Sequence, residues 1–288
     1  MTATGIEIPL NLVKPSAPYE ATVIENRCLT PGSSEDVRHI VLSLGESGLR
    51  YLEGQSVGVI PPGLDEAGKP LRLRLYSVAS ARGGDDDTGT TVSLCVKRTI
   101  YENERGEIVR GVCSNYLNDR VAGDRVKICG PIGKHFLLPP DPEQPIVMFA
   151  TGTGIAPFRA FLRQRSILKH RGAAILIFGV RTSNELLYLE ELQALLKEPG
   201  DRLALAISRE QKNAEGGRMY VGDRLHDLGD DVLRLLSGGA FTIYQCGLKG
   251  MEAGVEAAFS RLLSQEGLDF SALKPEWVRA KRWLVDTY

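Results

Sequence analysis

Ile146-Val147-Met148-Phe149-Ala150-Thr151-Gly152-Thr153-Gly154-Ile155-Ala156-Pro157 decides how the second half of this chain is read. An unbroken apolar run to Ala150, then glycines, then the amphipathic stretch Ala156 to His170 predicts strand, tight turn and helix. Glycines at such a turn let a diphosphate approach the backbone, and the helix N-terminus offers free N–H groups and a favourable dipole. The same geometry also serves as an ordinary tight turn in α/β proteins, and Pro157 stands where the third glycine of G-x-G-x-x-G would be.

Towards the C-terminus, AAILIFGV (173–180), ELLYLEELQALLKE (185–198) and RLALAIS (202–208) continue the alternation of strand and helix patterns, which implies a parallel α/β sheet. An NAD-type site places an acid at the end of the second strand to bind the ribose 2′-hydroxyl. Here Val180 is followed by Arg181 instead. The next strand ends in Ser208-Arg209-Glu210, and Arg218-Met219-Tyr220 follows. Two guanidiniums with a hydroxyl suit a 2′-phosphate, and a tyrosine ring suits stacking on adenine. Taken alone, the segment also reads as an exposed polar loop.

Towards the N-terminus the rhythm changes. Pro139-Pro140-Asp141-Pro142-Glu143-Gln144-Pro145 reads as a linker, since proline cannot sit inside a sheet or helix interior. From Tyr19 to Leu138 short β-prone runs (ATVIENRCL, RHIVLSL, GQSVGVI, LRLYSVAS, TVSLCVKR, DRVKICG) alternate with turn residues, as in an antiparallel barrel or sandwich. Ala81 to Thr90, ARGGDDDTGT, reads as a solvated surface loop. The expected organisation is an extension over 1–18, a β-barrel domain over 19–138, a linker over 139–145 and an α/β domain over 146–288.

The length of 288 residues fits two domains at roughly 100–200 residues each. Hydrophobic residues at 43% and charged residues at 25% exclude disorder and a fibrous rod. A net charge of −1 argues against a mainly electrostatic nucleic-acid binder. The five cysteines, at 28, 95, 113, 129 and 246, include no C-x-x-C, so neither a disulfide framework, a zinc finger nor a self-contained iron–sulfur site is expected. Met1 to Leu12 has no signal-like pattern, and no run approaches the roughly 18 apolar residues of a membrane span. A soluble, unprocessed, cytoplasmic protein with reduced thiols is the expectation.

Three stretches of the first half are unusual for ordinary strands. In Arg74-Leu75-Tyr76-Ser77, alternation puts Arg74 and Tyr76 on one face, although a structural tyrosine beside a solvent-facing arginine explains the same pattern. Cys95-Val96-Lys97-Arg98 is the second. The third, Gly111-Val112-Cys113-Ser114-Asn115-Tyr116-Leu117, reads as a loop entering a helix whose N-terminus could take a phosphate.

The ordered set R-L-Y-S, C-V-K-R, G-V-C-S-N-Y-L, G-T-G-I-A-P-F-R, S-R-E-Q, R-M-Y, C-G-L-K-G-M-E and a final aromatic resembles the plant-type ferredoxin:NADP+ reductases, from about Tyr19 to Tyr288. The resemblance implies an N-terminal, FAD-binding antiparallel β-barrel and a C-terminal, NADP-binding α/β domain with a parallel sheet, the flavin lying between them. By motif, Arg74 resembles the flavin-phosphate arginine, Tyr76 the tyrosine stacked on one isoalloxazine face, and Ser77 the serine near flavin N5; Leu75 belongs to the same strand. Cys95, Val96 and Lys97 match the flavin-contacting strand, Lys97 also resembling a cation that reaches NADP. Tyr101 resembles the ring on the FAD adenine, and Gly111, Val112, Cys113 and Ser114 the diphosphate loop.

In the second half, Thr153 with Gly154 matches the turn shared by both nucleotides, and Val180 and Arg181 lie at the end of its second strand. Ser208, Arg209, Arg218 and Tyr220 resemble the 2′-phosphate and adenine cluster. Cys246, Gly247 and Leu248 resemble the nicotinamide-side loop, and Tyr288 the ring over the other flavin face, which must move for nicotinamide to enter. Asp286 stands where the family usually carries a glutamate, and a carboxylate one methylene shorter has a different reach. Ser77, Cys246, Asp286 and Tyr288 are thus the candidate catalytic residues.

The implied activity is hydride exchange between NADP(H) and FAD N5 and single-electron exchange with a separate ferredoxin or flavodoxin. Lys69, Arg72, Arg279, Lys281 and Arg282 are candidates for a basic docking patch, against scattered solvated charges as the alternative. Two rival readings are the reductase component of an oxygenase system, which the arginine cluster disfavours, and a flavin- and nucleotide-binding scaffold without turnover, which diaphorase activity would exclude.

Overall fold

A computed structural model describes residues 7–288, so the first six residues of the expected N-terminal extension lie outside the described residues. The chain forms two compact units: Met1–Leu137 with Arg159–Gln164, and Leu138–Phe158 with Arg165–Tyr288.

The first unit is an antiparallel barrel of β1 (Tyr19–Cys28), β2 (Val37–Ser43), β3 (Ser56–Ile60), β4 (Arg74–Ser77), β5 (Thr91–Lys97) and β8 (Arg125–Ile132), in the order β4-β3-β8-β1-β2-β5. Its open edges meet where Val78, just beyond β4, bridges Leu94 of β5 and Ala79 N donates to Ser93 O at 2.7 Å. Alternation drives the closure: β1 sends Ala21 and Val23 inward and leaves Ile24 exposed. Ile40, Leu42, Val57, Val59, Leu94, Val126 and Ile128 complete the core, each full burial stabilising by roughly 1.5–3 kcal/mol. Between β5 and β8 lie a hairpin, β6 (Ile100–Glu102) with β7 (Ile108–Arg110), and the short helix α1 (Val112–Asn118). The hairpin is absent from the strand pattern read from sequence; Ile100, Tyr101 and Ile108 are all exposed, so no hydrophobic alternation marks it.

The reading of Ala81–Thr90 as a solvated loop needs correction. Asp85 receives Arg159 at 2.9 Å, the buried His39 at 2.9 Å and the Ser93 hydroxyl at 2.5 Å. Arg159 also donates to Ala79 O at 2.7 Å, and Arg163 to Asp85 O at 3.1 Å. Composition suggested a loop; partners from distant segments turn its first aspartate inward.

The second unit is a parallel sheet in the order β11-β10-β9-β12-β13. Its strands are β9 (Ile146–Thr151), β10 (Ala174–Val180), β11 (Arg202–Ile207), β12 (Thr242–Gly247) and β13 (Trp283–Thr287), linked by α2 (Ile155–Ile167), α3 (Leu189–Leu195), α4 (Val221–Asp227), α5 (Gly229–Ser237), α6 (Met251–Gln265) and α7 (Phe270–Arg279). The inner strands are buried almost throughout, as expected of a parallel sheet covered on both faces. α3 is shorter than its amphipathic pattern because Tyr188, immediately before it, takes a left-handed conformation with φ 57°. Phe259, Phe270, Trp277 and Trp283 pack as one aromatic cluster, Phe259 lying 5.2 Å from Trp283. The order runs outward from β9 in both directions, so the C-terminal ends of β9 and β12 form a topological switch point, where open α/β sheets bind ligands.

Among the described residues no helix is long and apolar enough to cross a membrane, and no His, Cys, Asp and Glu side chains cluster as metal ligands.

Candidate functional site

In the first unit β4 carries an exposed Arg74, an exposed Leu75 and half-buried Tyr76 and Ser77. Arg74 reaches only main-chain oxygens, Leu73 O at 3.2 Å and Arg72 O at 3.5 Å, so its charge has no carboxylate partner among the described residues. Tyr76 lies against Cys113. Burial, reinforced by that thiol, pushes the Tyr76 hydroxyl up, and burial likewise raises Cys113. Both remain neutral, and the Cys113 thiol points to Val59 O at 3.8 Å. Cys95 and Val96 are buried in β5, whereas Lys97 projects outward and pairs with Glu35 at 2.7 Å.

Gly111 enters α1 in an extended conformation with no side chain capping the helix, leaving the first-turn N–H groups of Val112, Cys113 and Ser114 without a side-chain acceptor. Even a Cβ at Gly111 would come within 2.9 Å of the Ser114 hydroxyl and of Thr99 Cβ. Thr99 N donates to the Ser114 hydroxyl at 3.2 Å, and Asn115 holds both Gly111 O and Thr99 O. This bare, braced turn and an unpaired guanidinium fit the diphosphate of a dinucleotide such as FAD. Tyr101, on β6, presents an exposed ring.

At the switch point of the second unit, β9 ends in Thr151 and a 3-10 turn, Gly152–Gly154, leads into α2, again with no side-chain cap. Pro157 sits in the first turn of α2, where a missing N–H is harmless. The Thr153 hydroxyl lies 2.5 Å from the Tyr288 hydroxyl. Gly154 packs on the Cys246 carbonyl. Gly247, at φ +132°, leaves no room for a side chain against Thr151, whose hydroxyl accepts from Leu248 N at 2.8 Å. Tyr288 N donates to Gly247 O at 3.0 Å, and Lys249 N to Tyr288 O at 3.2 Å. Thr153, Gly154, Cys246, Gly247, Leu248 and Tyr288 therefore converge. Asp286 pairs in register with Cys246; burial, then the Asp286 charge, pushes the Cys246 thiol far up, and burial also raises Asp286. Cys246 is held as a thiol, which suits positioning rather than nucleophilic attack.

A second group lies at the ends of β10 and β11. Ser208 donates through its amide and its hydroxyl to Val180 O, at 2.9 and 3.3 Å, and Arg209 N to Arg181 O at 2.9 Å. Arg181 itself pairs with Glu185 at 3.4 Å. The chain then doubles back: Lys212 bridges Arg218, and Asn213 accepts from Gly217 N at 2.8 Å. Arg209 and Arg218 are exposed and have no carboxylate partner among the described residues. Tyr220 is pinned through its amide by Asp223 at 2.8 Å while its ring stays exposed. Two unpaired guanidiniums and a presented ring fit a phosphorylated adenosine.

Of the proposed docking cations, Lys69 and Arg72 are exposed before β4, Arg279 is exposed at the end of α7 and Lys281 just beyond it. Arg282 differs: it donates to Gly239 O at 2.9 Å and stacks 5.2 Å above the Phe241 ring. Sequence reasoning passed over Thr151, Thr287 and Glu252. Thr151 lies inside the stretch that announced the turn, but its role depends on Leu248, far along the chain.

Residues 148–257 match the family model described as an oxidoreductase NAD-binding domain. The chain is 48% identical to a ferredoxin–NADP reductase of Synechocystis sp., covering 98% of this chain and 70% of that one. Identity is 46% to that of Spirulina sp., covering 98% and 99%, and 44% to the chloroplastic leaf isozyme 1 of Arabidopsis thaliana, covering 98% and 80%. A solved ferredoxin–NADP+ reductase from Plasmodium falciparum is similar with a TM-score of 0.75 at 25% identity, covering 96% and 99%. Identity at this level over nearly the whole chain, on a barrel joined to a parallel sheet, means that the chain belongs to the ferredoxin–NADP reductase family of oxidoreductases.

Proposed function

We propose that this chain is an FAD-dependent ferredoxin (or flavodoxin):NADP+ oxidoreductase. The observation that carries the reading is the pair Arg209 and Arg218, exposed and without carboxylate partners among the described residues, in the segment that presents the Tyr220 ring, in a member of this family. When bound, FAD supplies the exchange of a hydride with nicotinamide and of single electrons with an iron–sulfur or flavin protein.

The residues supply binding and order. Arg74 and the turn Gly111, Val112, Cys113 and Ser114 hold the flavin diphosphate, Tyr101 the adenine, and Leu75, Tyr76, Ser77, Cys95, Val96 and Lys97 the ring system. Ser208, Arg209, Arg218 and Tyr220 hold the adenosine 2′-phosphate, with Val180 and Arg181 lining the strand ends. Thr153, Gly154, Cys246, Gly247 and Leu248 form the nicotinamide side. Tyr288, tied to Thr153 and Gly247, stands in the way of nicotinamide and swings aside before reaction, a gating step rather than chemistry. Asp286, exposed on β13 and in register with Cys246, brings a carboxyl with raised proton affinity to this edge, where a proton can be held.

The division at 19–138, 139–145 and 146–288 is part of this reading, as is docking of the electron partner on Lys69, Arg72, Arg279, Lys281 and Arg282. The five cysteines are free thiols, which supports a reducing compartment, and we assign the protein to the cytoplasm. Purified protein should carry about one noncovalent FAD per chain and reduce ferricyanide with NADPH in strong preference to NADH. Colourless protein that takes up no FAD would overturn the assignment.

A further inference from the structure

Three contacts hold the chain at Thr287 and Tyr288. Tyr288 N donates to Gly247 O at 3.0 Å, Lys249 N donates to Tyr288 O at 3.2 Å, and the Thr287 hydroxyl donates to the Glu252 carboxylate in the first turn of α6. The side chain of Tyr288 has a separate tie, its hydroxyl to Thr153. Two modes of opening are therefore distinct: rotation of the ring on a fixed backbone, which breaks the Thr153 bond and leaves the Thr287–Glu252 bond in place, and lifting of the whole strand end, which must break the Thr287–Glu252 bond as well.

We propose that Glu252 is a positioning residue that, through the Thr287 hydroxyl, pins the end of β13 to α6 and so sets how readily Tyr288 gives way to nicotinamide. The proposal rests on the gating role given to Tyr288 above. Glu252 is not among the residues given above to either nucleotide; it acts through the strand end. The energy of displacing Tyr288 is common to both nucleotides, but it is most visible with NADH. That coenzyme lacks the 2′-phosphate that anchors NADPH on Arg209 and Arg218, so its kcat/KM stays below the association limit and rises when displacement becomes easier.

The test uses the FAD-loaded enzyme with ferricyanide as acceptor. Thr287→Val keeps the shape and removes the donor; Thr287→Ser restores it. Glu252→Ala removes the acceptor and Glu252→Gln keeps a carbonyl oxygen. Thr287→Val and Glu252→Ala should each raise kcat/KM for NADH about tenfold and tighten NADP+ binding by a similar factor, the change that about 1.4 kcal/mol controls. FAD content should be unchanged, and the Ser and Gln variants should stay near wild type. Should either folded variant, Thr287→Val or Glu252→Ala, leave NADH kinetics and NADP+ affinity unchanged in an enzyme that otherwise prefers NADPH, Tyr288 opens by ring rotation alone and the brace is refuted. A wild-type protein without FAD or NADPH oxidation would overturn the functional reading itself, and the brace with it.

Discussion

Ala81–Thr90 and Ser208–Tyr220 look alike as sequence: both are polar, glycine-containing and dense in charge. In the folded chain they are opposites. Asp85 in the first is met by Arg159, His39 and Ser93, so its charge is neutralised inside the protein. Arg209 and Arg218 in the second meet no carboxylate among the described residues and stay exposed. Charge satisfied by the protein itself maintains structure, whereas charge left over at the surface is available to a ligand. The density of charged residues does not distinguish the two; the balance of partners does.

The largest test of this contrast is Asp85→Ala. Breaking a mostly buried polar cluster removes the carboxylate that Arg159, His39 and Ser93 share and should lower stability by about 3 kcal/mol or more. The NADPH to NADH preference should be unaffected. A denaturation midpoint close to wild type would mean that the cluster is no more than surface charge. The same group predicts an acid limb. Burial alone would raise the Asp85 carboxyl, but the His39 hydrogen bond, the Arg159 charge and the Ser93 hydroxyl outweigh it and hold it well below the usual carboxylate range. Its contribution is therefore complete above about pH 4 and is lost as pH falls towards the folded value. Asp85→Asn should flatten stability against pH below about pH 4, which denaturant titrations at successive pH values would read.

The opposite pole is Arg209→Gln and Arg218→Gln. Each should cost roughly 1.5–3 kcal/mol of NADPH binding, about 10- to 100-fold in kcat/KM, because the lost bonds are charge-assisted. The melting temperature and NADH kinetics should barely move. Equal losses with both coenzymes would show that these arginines support the loop rather than a phosphate.

Gln245 sharpens the comparison from a third side. It is fully buried in β12, and neither its carboxamide nitrogen nor its oxygen meets a partner among the described residues. Unpaired polarity that solvent cannot reach offers nothing to a nucleotide and only loses hydration. Gln245→Leu should therefore raise stability by about 1 kcal/mol without altering coenzyme choice. A lowered melting temperature would show that the carboxamide contributes more than its burial costs.

The smallest effect is expected at the docking cations. Lys69→Glu with Arg72→Glu should slow ferredoxin-dependent turnover several-fold at low salt and less at high salt, leaving ferricyanide reduction intact. Parallel losses in both assays would remove these residues from any docking role. Arg282 is a poor choice for this test, since its guanidinium is already tied to Gly239 O and the Phe241 ring.

The strands of both units were legible because their signals are local. Period-two burial in β1 and continuous burial in β9 and β10 follow from a handful of neighbouring residues. The turn at Gly152–Gly154 was equally legible, because glycines between an apolar run and an amphipathic one leave few alternatives. The hairpin of β6 and β7 was not, since its side chains face solvent and carry no alternation.

By itself, then, the sequence determined two kinds of sheet, the bare turns at Gly111 and Gly152, and a loop with surplus arginines. Only the tertiary structure decided which polar groups are spoken for: that Asp85 belongs to Arg159, that Thr287 reaches Glu252, that Thr151 holds Leu248 and that Gln245 has no partner among the described residues. Secondary structure is set by residues within a few positions of one another. The partner of a polar side chain depends on where the whole chain returns, and that information is spread over segments separated by dozens of residues.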